Sequence, residues 1–133
     1  MIAAYREILL ADPTVAAAVG QRIYPGIKPL DQRQPSIVLR QISDVPDYHF
    51  NGPSGFSDGT IQVDCWGPDY ASAKSLADAA QTVLENYSGT PAAGEPVGWI
   101  EISNRFDIEP VIEPGKNEPS ERGIQFDAEF LRI

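Results

Sequence analysis

Apolar residues recur along this chain with one of two periods, and each change of period marks an element. In "GIQFDAEFLRI", residues 123–133, Ile124, Phe126, Ala128 and Phe130 alternate with Gln125, Asp127 and Glu129. That period of two predicts a strand with one buried face. Residues 57–66 alternate as well. Ile61, Val63 and Cys65 share one face, and Thr60, Gln62, Asp64 and Trp66 share the other. "PSIVLRQIS", residues 35–43, is β-branched and aliphatic on both faces: Ile37 and Leu39 point one way, Val38, Arg40 and Ile42 the other. Such a strand is expected to be covered on both sides or to lie at an interface. A fourth strand is predicted in "VGWIEISNRFDIE", 97–109, after a Pro/Gly loop.

The period changes to 3.6 in the stretch after Trp66. Ala73, Leu76, Ala77, Ala80, Val83, Leu84 and Tyr87 follow the i, i+3, i+4 rule, with Lys74, Asp78, Gln81 and Glu85 opposite them. Asp69 is placed to cap this helix and Gly89 to stop it. Ile2, Tyr5, Ile8 and Leu9 predict an N-terminal helix. Asp12 and Pro13 then interrupt it or start a second short helix, which ends at Gly20. "RIYPGIKP" reads as irregular, with room for a brief edge strand at 22–24. Two long connections remain, 44–59 and 110–122. The expectation is a single α+β domain over 1–133 in the order α-β-β-α-β-β. It has a four-stranded, mainly antiparallel sheet, two helices on one face and long hairpin loops.

Composition supports one packed domain. The 133 residues are 42% hydrophobic, and 12 Pro and 11 Gly gather between the apolar stretches. Lys plus Arg total 10 and Asp plus Glu 19, a net charge of −9. No basic patch for gripping a phosphate backbone is expected from this balance. The N-terminal stretch lacks a basic region followed by a pure apolar run, so no signal peptide is expected, and no apolar run is long enough to cross a membrane.

Candidate chemistry is thin. A single Cys excludes an internal disulfide and a multi-Cys zinc site. Cys65 sits mid-strand on the apolar face, the pattern of a small core residue, whereas a reactive thiol needs an exposed, electropositive setting. His49 lies near Asp44 and Asp47, but "PDYHFNG" offers no second His and no metal-ligand spacing, so a surface role is expected. "GPSGFSDG" is not a nucleophile elbow, and no phosphate-binding glycine motif is present. Asp64, Asp69 and Asp78 suggest a metal cluster only until Asp69 is read as a cap and Asp78 as a solvated helix position. No catalytic, cofactor or metal residue is assigned. What remains is aromatic material in odd places: Tyr48, Phe50 and Phe56 in a polar connection, and Trp66 facing away from the predicted helices. These either fold back onto their own sheet or form a partner surface.

The order of these pieces is itself informative. A short N-terminal helix ends near "VGQRIYPG". A "PSIVL" strand follows, then a "GTIQVDCW" strand and a "YASAKSLADA" helix. In this, the chain resembles the tail-completion (tail-terminator) family of long-tailed bacteriophages, also found in prophages and gene transfer agents. The resemblance covers residues 1–87, with a looser match in the last two strands. It implies a small α+β subunit, without catalytic residues, that forms a hexameric ring in the virion. The ring caps the head-proximal end of the tail tube and stops its polymerisation. Its implied partners are further copies of itself, the tail tube protein and the head-completion or connector protein. DNA would pass through the lumen without specific binding, aided by an acidic lining. With the resemblance, the length and polarity of the two connections make 44–58 and 109–121 the expected contact elements. The interface candidates are Asp47, Tyr48, His49, Phe50, Phe56, Trp66, Glu113, Lys116 and Glu118. The competing readings are another head–tail connector or minor tail subunit, a small dimeric ligand-binding domain, and an enzyme using His49 with Asp44 or Asp47.

Overall fold

The computed structural model describes residues 1–29, 34–91 and 96–133. Chain order is α1 (Ile2–Ala11), α2 (Pro13–Val19), β1 (Ile23–Pro25), β2 (Ser36–His49), β3 (Gly52–Gly67), α3 (Tyr70–Glu85), β4 (Val97–Ile108) and β5 (Arg122–Arg132). The Pro/Gly loop expected before β4 includes residues 92–95, which lie outside the described residues.

Pro13 decides how the N-terminal helix divides. A residue before proline is pushed out of the helical region, and Asp12 sits at φ −84°, ψ 124°. It ends α1 and caps α2: the Val15 amide donates to Asp12 Oδ2 at 3.0 Å. Asp69 does the same for α3, accepting from the Ser72 amide at 2.7 Å. The expected stop at Gly89 is corrected: α3 ends at Glu85 with Asn86 as its cap, and Gly89 instead bridges to Val97.

The sheet has five strands in the order β1-β2-β3-β5-β4, one more than expected. The extra strand is β1, whose three residues pair parallel with Ile37, Val38 and Leu39 and make the sheet mixed. Three residues are too few to carry a period, although Ile23 is buried. All other pairs are antiparallel. Three helices, rather than two, supply the other layer. Tyr5, Leu9, Val15, Leu76, Ala77, Ala80 and Leu84 pack against Ile37, Leu39, Ile61, Val63, Ile124, Phe126 and Phe130 in one core. Cys65 lies in that core with no exposed surface, as its alternation predicts.

The largest correction concerns residues 44–59, expected as a long loop. They are the continuation of β2 and β3, joined by a turn at Phe50 and Asn51. Two register shifts hide them from a period-two reading. Ile42 is an extra residue between the pairs Gln41–Ile61 and Ser43–Thr60. A second shift lies between Pro46–Ser57 and Tyr48–Pro53. Each shift disturbs the alternation, and Pro46 and Pro53 argue further against a strand. The stretch 109–121 is irregular, close to its expected bounds.

Candidate functional site

β5 stops pairing with β3 at Ser57, opposite Arg132. Beyond that point the β2–β3 hairpin has no third strand and projects as a two-stranded arm. Its tip is held locally. The Ser54 hydroxyl donates to the Asp47 carbonyl at 3.1 Å and accepts from the Phe56 amide at 3.2 Å. His49 Nδ1 accepts from the Asn51 amide at 3.3 Å. The arm exposes three aromatics, Tyr48, Phe50 and Phe56, with Phe50 completely exposed at 103%, beside the polar Asp47, His49 and Asn51; Val45 is exposed just before it. Asp47, Tyr48, His49, Phe50 and Phe56 are thus brought together. The aromatics do not fold back onto their own sheet.

Trp66 stands near the opposite end of the sheet, on the face away from the helices. That face is acidic. The register aligns Asp58, Asp64, Glu101, Asp127 and Glu129 on it, with Arg40 as the cation among them. Trp66, expected to await a cover from elsewhere, has part of one from its own chain. Lys28 Nζ lies 5.2 Å from the ring centroid and pairs with Glu121. Between the 26–29 segment, the sheet and the start of the 109–121 stretch lies a cavity of about 400 Å³. Val38, Trp66 and Ile108 form its apolar floor, and Ile27 and Val111 stand exposed at its rim, at 75% and 78%.

Arg40 and Asp64 supply the polar side of this cavity. Arg40 donates to Gln62 Oε1 at 2.9 Å and to the Gly26 carbonyl at 3.1 Å. Asp64 is 7% exposed, and its Oδ1 has no hydrogen-bond partner among the described residues. Burial pushes its carboxyl up to about 6; Arg40 opposes the rise and Asp127 adds to it.

Of the remaining candidates, Glu113 lines the cavity and pairs with Lys116 at 3.3 Å, while Glu118 is exposed farther along the stretch. The arm residues and the Trp66–Glu113 group therefore form two separate surfaces. Lys28, Ile27 and Val111 carry no signal in the sequence, and Arg40 and Asp64 stand out there only as strand positions. Only the shared strand face of Asp64 and Trp66 hints at the site. Asp64, Asp69 and Asp78 are not brought together. Asp69 caps α3, and Asp78 takes Lys74 at 2.9 Å and Arg105 at 2.7 Å on the helical side. Both interactions hold the Asp78 carboxyl below the usual range. No group of His, Cys, Asp and Glu with metal-binding geometry occurs among the described residues. None of their helices is long and apolar enough to cross a membrane.

The chain is similar to known proteins both in sequence pattern and in fold. The family model for "Tail completion protein gp17" matches residues 3–109. A chain in the solved structure "Virion of native gene transfer agent (GTA) particle" has a similar fold, with a TM-score of 0.75 at 16% identity. The similarity covers 99% of this chain and 93% of that one. No curated protein matches the chain.

Proposed function

This chain belongs to the tail completion protein gp17 family, a structural component of the virion tail, and we propose that it caps the head-proximal end of a tail tube as a hexameric ring. The projecting arm carries this reading. A two-stranded ribbon with exposed Tyr48, Phe50 and Phe56 has no core of its own to join and is built for a partner. A ring requires a heterologous contact, in which one patch meets a different patch on the next copy. Arm and cavity are two such patches, well separated on one chain.

The cap ends polymerisation by covering the tube's last ring and offers its other side to the head-completion or connector protein. The acidic sheet face suits the lumen. Asp58, Asp64, Glu101, Asp127 and Glu129 outnumber Arg40 and Lys28 there, so the phosphate backbone is repelled along its path instead of being held. No bond-making chemistry is needed for any of these steps.

The test is electron microscopy of the purified protein, alone and mixed with tail tubes. Rings of one size at one end of each tube are expected. Deleting 47–56 should leave a folded subunit that no longer caps. Tails of normal length assembled with the deletion variant would overturn the role of the arm, and tube ends left bare by the intact protein would overturn the capping function.

A further inference from the structure

Arm tip and cavity have complementary chemistry. The tip, residues 48–56, carries three aromatics and no carboxylate; Asp47 immediately precedes it, and Asp44 and Asp58 lie before the arm begins. The cavity offers an apolar floor of Val38, Trp66 and Ile108, and on its walls the carboxylates Asp64, Glu109, Glu113 and Glu121 outnumber the cations Lys28 and Arg40. An acidic segment would be repelled from those walls, whereas an uncharged aromatic one is not. His49 adds a directed contact. Its Nδ1 accepts from the Asn51 amide, which leaves Nε2 as the ring's donor. A volume of about 400 Å³ is at the lower end for pockets that enclose a small organic group.

The arm cannot fill the cavity of its own chain. Val38 in the floor and His49 at the tip lie eleven positions apart on the same strand, roughly 36 Å of extended backbone. An arm tip in this cavity therefore comes from another molecule, and a second copy supplies one in every assembly.

We propose that the arm tip of one copy, led by Phe50, docks in the Trp66 cavity of the next, so that each subunit gives an arm and receives one. This rests on the ring reading and specifies its contact. Repetition of this heterologous contact closes a ring when the rotation per copy allows it.

The experiment uses two variants of the full chain that each add one surface thiol and keep Phe50, Asn51→Cys and Val111→Cys, incubated with tail tubes and oxidised. Cys65 is fully buried and gives no background. A disulfide dimer is expected when the two variants are mixed, and not with either alone. If the double variant closes the bond within one chain, the docking is intramolecular and the proposal fails. If Val111→Cys joins only a tube subunit carrying an introduced thiol, the occupant is the tube protein and the proposal fails. Failure of the mixed cross-link overturns the arm–cavity contact in every case. Rings still seen at tube ends by microscopy would then leave the capping function standing with a different contact between copies.

Discussion

Trp66 and Gly123 are register partners on β3 and β5, and the indole occupies the space that a side chain at 123 would need. A Cβ there would fall 2.8 Å from Cε3 and Cζ3 of Trp66 and 2.9 Å from Cδ1 of Ile108. The absence of a side chain at 123 therefore sets how deeply the floor of the cavity sits. Gly123→Ala forces the indole and Ile108 outward. A loss of about 1–3 kcal/mol is expected from overpacking. Thermal unfolding measures that loss. In a Trp99→Phe background, the fluorescence of Trp66 should shift to the red as the ring becomes more exposed.

Tyr5 ties the first helix to the last strand. Its hydroxyl donates to the Ala128 carbonyl at 3.1 Å, and its ring meets Phe130 edge-on at 6.3 Å between centroids. Burial pushes its phenol far above the usual range, so it stays a donor at every working pH. Tyr5→Phe keeps the ring contact and leaves the Ala128 carbonyl without this donor. A loss of about 1 kcal/mol is expected in denaturant unfolding. Tyr5→Ala, which also opens a cavity, should cost several times more, roughly 3–5 kcal/mol.

How much of this was legible in the sequence depended on whether a period survived. Ile124 to Phe130 and Ala73 to Leu84 kept their alternation and helical spacing, so β5 and α3 were readable, and Cys65 was assigned to the core from its two neighbours alone. The arm was not. Ile42 and the second register shift break the alternation of β2, and Pro46 and Pro53 mimic loop signals, although the backbone continues as strand on both sides. The aromatics of the arm stand out nonetheless, because they have no periodic face to join. The cavity around Trp66 was invisible for a different reason. It is assembled from 26–29, β2, β3 and 108–121, stretches distant in sequence that only the sheet order and the path of irregular segments bring together.

Cys65 provides a test of the core that needs no substitution. It has no exposed surface, and burial, aided by the negative charge of Asp64, pushes its thiol well above the ordinary range. A thiolate-selective reagent at neutral pH should leave the native protein unmodified and titrate one thiol per chain in denaturant. The native modification rate then reports opening of the β3 region. If Cys65 reacted as fast as a free thiol under native conditions, β3 would not be a buried central strand.

Asp64 makes stability depend on pH in the direction opposite to that of a salt-bridged carboxylate. Its pKa rises from 3.8 unfolded to about 6 folded, because burial outweighs the attraction of Arg40 and Asp127 adds repulsion. Between those values the folded state holds a proton that the unfolded state has released. Folding is therefore favoured most below the unfolded value and weakens as pH climbs through the folded one. Once Asp64 is ionised, above about pH 7, the accumulated cost is on the order of 1–3 kcal/mol. Asp64→Asn removes the titration while keeping the size and one acceptor of the side chain. The variant is expected to match the parent near pH 4, to exceed it in melting temperature at pH 8, and to show a flatter profile between. Equal melting temperatures at pH 8 would mean that Arg40 fully offsets the buried charge. In the Gln62→Ala variant, where Arg40 loses its 2.9 Å partner and is freer to turn towards Asp64, the pH slope should shrink.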